Sequence, residues 1–216
     1  MKKRLPRILG LLVTLLAVVV ILTPSIVSAF TDETDTFNVR GEVSEAATLS
    51  CATGSGANLD FSSVFSGIPA GAEERTATNT CTATTNSEDG YEIGIHYSGG
   101  EDGTLAHATS ADEFAAHTGT AAAPSAMTAG DAEAKWGYRI TDASECTDFV
   151  DWGSDGAPQY AGVVATLAEV SDDTAKTDQD GETCIFGFSA KRGSTKMLDD
   201  GYYDCSVIIT MRDNTD

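Results

Sequence analysis

The sequence predicts an all-β protein: an antiparallel β-sandwich preceded by a signal-peptide helix. Three observations predict it. Apolar side chains recur at period two in several stretches, as half-buried strands require. Five Asp-Gly pairs, ending in Gly90, Gly103, Gly156, Gly181 and Gly201, supply turns between them. Almost no stretch after residue 30 carries a helical period.

The first element is a leader. Lys2, Lys3, Arg4 and Arg7 form a basic start, Ile8 to Leu22 is apolar apart from Gly10 and Thr14, and Val27-Ser28-Ala29 sets small residues before a cleavage point. That order is a secretory signal peptide over residues 1–29. The run is short of the ~20 residues that span a bilayer, so cleavage after Ala29 is expected and no membrane partner remains after it. The mature chain, 30–216, is expected to be one domain working outside the cytoplasm, secreted or at the cell surface.

Charge narrows its partners. Four of the thirteen basic residues leave with the leader, so nine face thirty-three acidic ones and the formal charge becomes −24. Such a chain repels nucleic acid and anionic lipid, and neither is expected as a partner. The acids are spread along the chain, which reads as a solvated, salt-tolerant surface rather than a set of calcium sites.

The strands follow in order. Phe37, Val39, Gly41 and Val43 share one face against Asn38, Arg40 and Glu42. Arg75 to Thr85 alternates small and hydroxylated residues around Cys81. Tyr91 to Tyr97, Trp136 to Ile140, Cys184 to Phe188, and Tyr203 to Met211 alternate in the same way. Residues 99–134 differ, being rich in Ala, Thr and Gly. They read as a long, partly mobile surface insertion, with a helical turn at Asp112 to His117.

No catalytic constellation is present: no GxSxG, HExxH or GxxxxGK[ST]. No enzyme activity, metal or cofactor is therefore expected. His96, His107 and His117 read as surface residues, with no ligand spacing. Asp178 to Glu182 resembles a calcium loop, but Lys176 and Gly187 stand where its end ligands belong. Trp136 and Tyr138 fall on a core face, whereas Trp152 is expected to be exposed.

There are five cysteines, Cys51, Cys81, Cys146, Cys184 and Cys205, and no CxxC. In a secreted chain they predict up to two internal bridges and one leftover thiol. Cys184 is expected to pair with Cys205, on the next predicted strand, or with Cys146.

Taken in order, several motifs carry a resemblance. They are Thr36 to Val43, Cys51, Leu59-Asp60-Phe61, Cys81 in its Thr-rich strand, Gly90-Tyr91 and Gly201-Tyr202-Tyr203-Asp204. This pattern resembles the spore-coat-U and archaic pilin family of secreted sandwiches. It is also similar to small surface proteins of ultra-small bacteria, through Thr85-Asn86, Trp136-Gly137-Tyr138 and Gly201-Tyr202-Tyr203. Ser62 in place of Gly, and the three extra cysteines, depart from the pilin pattern. The resemblance implies a pilin-like fold, a Cys51–Cys81 bridge and a structural or adhesive subunit that self-assembles or meets other surface proteins. The alternative is a monomeric carbohydrate- or protein-binding module.

Asp199-x-Gly201-x-Tyr203-x-Cys205 also copies the tyrosine corner of immunoglobulin strand F. Tyr203 should return its hydroxyl to nearby backbone, and Gly201 should hold a conformation that alanine resists. Eleven residues follow Cys205, too few for a further strand G. A sandwich that stops there resembles a donor-strand pilin, with Phe37, Val39, Gly41 and Val43 as the strand lent to a neighbour.

Overall fold

The computed structural model describes residues 46–54, 57–61, 65–66, 68, 71–98, 102–142 and 152–214. Contacts divide the chain into Met1–Val43 and Ser44–Asp216, and every described residue belongs to the second unit. The leader, the proposed donor residues Phe37, Val39, Gly41 and Val43, and Cys146 lie outside the described residues.

Twelve strands make up the described fold: β1 (Ala47–Cys51), β2 (Glu73–Thr85), β3 (Tyr91–Tyr97), β4 (Leu105–His107), β5 (Glu113–Ala116), β6 (Ala134–Asp142), β7 (Gly153–Ser154), β8 (Ala157–Pro158), β9 (Ala168–Asp173), β10 (Glu182–Arg192), β11 (Tyr203–Asp204) and β12 (Val207–Asp213). A seven-stranded sheet runs β1-β2-β10-β6-β5-β4-β11, and a three-stranded sheet runs β12-β3-β9. β7 and β8 form a small hairpin. One buried cluster joins the two larger sheets. It takes Tyr91, Ile93 and Ile95 from β3, and Cys81, Trp136 and Phe186 from the larger sheet. The architecture is thus an all-β sandwich.

The alternation seen in the sequence places these side chains. Along β2, Ala77, Asn79, Cys81, Ala83 and Thr85 are buried, and the threonines between them are not. β10 pairs with β2 over its whole length, from Glu182 opposite Ala83 to Arg192 opposite Glu73. Four of the five Asp-Gly pairs turn through a positive-φ glycine: Gly90, Gly103, Gly181 and Gly201. At Gly90 an added Cβ would also lie 1.8 Å from the Asp173 carbonyl oxygen, so only glycine fits there.

The structure corrects several expectations. The pairing is not wholly antiparallel, because β5 joins β6 in parallel. Asp112 to His117 is no helical turn; it carries β5, since Phe114 gains more by entering the core, where it is 1% exposed, than a short exposed helix could return. Residues 99–134 therefore contribute two strands and the buried Leu105 and Phe114. Trp152 is buried rather than exposed, with its ring 5.6 Å from that of Tyr138. His117 is buried too, and its Nε2 lies 2.9 Å from Ser125 Oγ. Burial holds that imidazole below its usual pKa, and hence neutral.

Three of the four described cysteines lie on neighbouring strands of the seven-stranded sheet. Cys51 and Cys81 are directly opposite on β1 and β2 and form a disulfide. Cys184 faces the other side of Cys81, on β10, and is itself disulfide-bonded. Of its two expected partners, Cys205 is a thiol, and Cys146 lies outside the described residues. The reason is topological. β10 sits between β2 and β6, whereas Cys205 lies where the chain leaves β11 for the other sheet.

Candidate functional site: an apolar groove beside an unpaired strand edge

The first four strands of the large sheet, β1-β2-β10-β6, follow the A-B-E-D order of an immunoglobulin sandwich, and β12-β3 occupy the places of F and C. In that scheme strand G adds to the outer edge of F. Among the described residues nothing pairs with β12 on the side away from β3. β12 thus presents a ladder of backbone donors and acceptors about 23 Å long, from seven residues at ~3.3 Å each.

A groove of about 1170 Å³ opens along this edge. Leu49 from β1, Ala77 from β2, Phe188 from β10 and Phe114 from β5 line it, with Val207 and Ile209 from β12. Small-molecule pockets run to roughly 1,000 Å³ and are more enclosed, so the size suits an extended chain better. The side chains agree. Leu49, Val207, Ile209 and Met211 pack against the core but remain only half-buried. Ile208 and Tyr202 at the rim are exposed, Tyr202 to 81%.

One wall is the segment Leu198 to Ser206, and its position is set from ninety residues away. Asp112, just before β5, accepts the Asp199 N–H at 3.0 Å and the Tyr203 hydroxyl at 2.8 Å, and forms an ion pair with Lys196. Burial alone would raise the Asp112 carboxyl. These three donors outweigh it and hold the group below its ordinary pKa. Burial and the adjacent carboxylate push the Tyr203 phenol upward, so it remains a donor. Its oxygen is also 3.1 Å from the Asp199 carbonyl, four residues back. His107 Nδ1 lies 3.2 Å from the Thr109 N–H and 3.0 Å from the Ser110 N–H. That leaves Nε2 to donate to the Asp200 carbonyl at 3.0 Å. Gly201, at φ +147, packs on the same ring.

The far end of the groove is aromatic. The Phe65 and Phe114 rings are 5.0 Å apart, and Tyr203 meets Phe114 edge-on at 5.3 Å. Phe65 is steadied by its neighbourhood. The buried Arg192 guanidinium binds the carbonyls of Ser66 and Gly71 and pairs with Glu73 at 3.0 Å.

Of the residues singled out from sequence, Cys51, Gly201, Tyr203 and Cys205 line this groove, whereas Cys81 and Cys184 are buried in the core. Sequence reading missed Asp112, His107 and Phe114, which sit in a stretch without periodicity. Among the described residues, no three His, Cys, Asp or Glu side chains converge to hold a metal ion.

No family model matches this sequence, and no curated protein matches it. Among solved structures, it is similar to the CupB6 tip adhesin from Pseudomonas aeruginosa, at 12% identity and a TM-score of 0.32, over 79% of this chain and 46% of that one. The similarity thus spans less than half of that adhesin's length. At that TM-score it carries no weight for function, which rests on the groove.

Proposed function

We propose that this protein is a secreted, non-catalytic surface subunit, structural or adhesive, that assembles by donor-strand exchange. Phe30 to Val43 of one copy would fill the groove of the next and pair with the outer edge of β12. The observation that carries this reading is the coincidence of an edge strand, unpaired on its outer side among the described residues, with a half-buried apolar floor along the same line. An incoming strand satisfies the ladder with its backbone and the floor with alternate side chains. Phe37, Val39 and Val43 would each contribute on the order of 1.5–3 kcal/mol by leaving water. The disulfides fit an oxidising, extracytoplasmic setting. Trp136, Tyr138, Trp152 and Tyr160, large aromatic side chains of the kind that stack on sugar rings, are all buried, which favours this reading over a sugar-binding module.

Hydrogen exchange tests the reading. A synthetic Phe30–Val43 peptide, added to dilute mature protein, should slow exchange of β12 amides and leave β10 unchanged. Unaltered β12 exchange at millimolar peptide would refute strand addition at this edge.

A further inference from the structure

The turn between β4 and β5 is folded around the half-buried His107 side chain. The Thr109 N–H donates to Nδ1 at 3.2 Å, and the Ser110 N–H does so at 3.0 Å. The His107 N–H on the Asp112 carbonyl, at 3.0 Å, and the Asp112 N–H on Ser110 Oγ, at 3.2 Å, close the same turn. Two donors converge on one lone pair, so Nδ1 carries no proton. Nε2 carries it and donates to the Asp200 carbonyl. The ring is neutral, and both nitrogens are committed. The turn that it organises ends on Asp112, the carboxylate that anchors the groove wall.

A second proton has no place in this arrangement. It would enter Nδ1 and set one N–H against two others. The ring cannot turn to present it elsewhere. A half-turn about Cβ–Cγ puts carbon where both nitrogens stood, which also breaks the Asp200 bond. The Tyr203 ring, 5.0 Å away, and Gly201, where a Cβ would lie 2.3 Å from Nε2, box the imidazole in. The charged and titratable groups around it come from three elements. Asp112 precedes β5, Asp199 and Asp200 belong to the wall, and Tyr203 is opposite His107 on β11. Glu113 and Asp204 lie one position along, opposite Ala106. Lys196 is paired with Asp112. Of these side-chain types, the imidazole is the one that ordinarily changes charge between pH 5 and 8.

Resting on the donor-strand reading above, we propose that proton uptake at His107 opens the β4–β5 turn and, through Asp112, slackens the wall from Leu198 to Ser206, so that the groove accepts a strand less well in mild acid. The ring takes the proton only where the turn releases Nδ1, so uptake and opening are one equilibrium. The turn is the two-state element, closed on the neutral imidazole and open on the cation. Asp112, held below its ordinary pKa, keeps its charge over this interval. That separates the His107 step from the loss of Asp112 itself at lower pH.

The test compares dilute mature protein at roughly pH 7.5 and 5.5, an interval chosen to bracket imidazole titration. Amide exchange, corrected for intrinsic rates, reads the turn, and an NMR titration of the ring reads the proton. Thr109 and Ser110 should exchange about tenfold faster in acid, the factor for losing one ordinary hydrogen bond, and residues 198–204 should follow. Added Phe30–Val43 peptide should bind about threefold more weakly in acid, as the competent fraction falls. His107→Asn leaves an oxygen for the turn but nothing that titrates here. Its exchange and its peptide affinity should match at the two pH values. His96→Gln, on β3, should keep the parent's response. A ring that stays neutral in acid, a turn that stays protected once the ring is charged, or a full response in His107→Asn overturns the inference. Peptide held equally well at both pH values while the turn opens breaks the link to the groove and leaves strand exchange standing. Peptide bound at neither pH value refutes strand exchange, and the exchange data then decide the acid response of the wall by themselves.

Discussion

The Tyr203 hydroxyl stands 2.8 Å from Asp112 Oδ2, joining the groove wall to a carboxylate ninety-one residues away. The same hydroxyl is 3.1 Å from the Asp199 carbonyl. It has one proton, and the charged acceptor is both nearer and stronger. Tyr203→Phe is therefore expected to cost about 1.5–2 kcal/mol, at the lower end of the range for a hydrogen bond to a charged group. Urea denaturation checks this. An unchanged midpoint would mean that water replaces the contact without loss.

Acid should loosen the same wall. The folded Asp112 carboxyl titrates below its ordinary value. Its stabilisation is complete above the unfolded pKa of about 3.9 and is lost as pH falls through the lower folded one. Amide exchange across residues 198–204, corrected for intrinsic rates, should rise over that acidic interval in the parent protein. Asp112→Asn should show fast exchange already at neutral pH and little further change. A parent profile flat down to pH 2 would contradict this.

Gly201→Ala should be among the more damaging changes at an exposed site. Gly201 has φ +147, and a Cβ there would lie 2.3 Å from His107 Nε2. The strain is on the order of 1–3 kcal/mol, and relieving it breaks the bond from His107 to the Asp200 carbonyl. A thermal melt reads the loss, and His107→Ala in the same chain should recover part of it. No recovery would place the strain in the backbone alone.

Reducing the Cys51–Cys81 bridge should lower stability by about 3–4 kcal/mol. The bridge spans a sequence separation of 30, and loop-closure entropy for such a loop gives that figure. Cys51→Ser with Cys81→Ser, compared by denaturant titration, provides the measurement. A difference under about 1 kcal/mol would show that β1 is held by its ladder and by Leu49 instead.

Much of the sandwich was legible because its strands alternate. β2, β3, β6, β10 and β12 all coincide with period-two stretches, which a half-buried sheet imposes on sequence. β4 and β5 were not legible. They are three and four residues long, too short to show a period, and Ala-rich surroundings hid Phe114. Of the two partners expected for Cys184, Cys205 is set aside because adjacency of consecutive strands is a tendency, and here the chain passes through β11 and changes sheet; the other, Cys146, lies outside the described residues. At the site, the Asp199-x-Gly201-x-Tyr203 pattern announced the corner, since a local turn fixes its residues at fixed offsets. Asp112 and His107 could not be found that way. Their bonds to this wall reach 87 to 93 residues along the chain, and only the folded topology brings them together.

The most direct test of strand exchange is the state of mature protein with and without residues 30–43, measured by size-exclusion chromatography with light scattering. Donor-strand assembly predicts concentration-dependent polymers for the mature chain. It predicts a folded monomer for the truncated one that still accepts added Phe30–Val43 peptide. A mature chain that stays monomeric at high concentration, together with a truncated chain that simply unfolds, would contradict strand exchange and leave a self-contained sandwich.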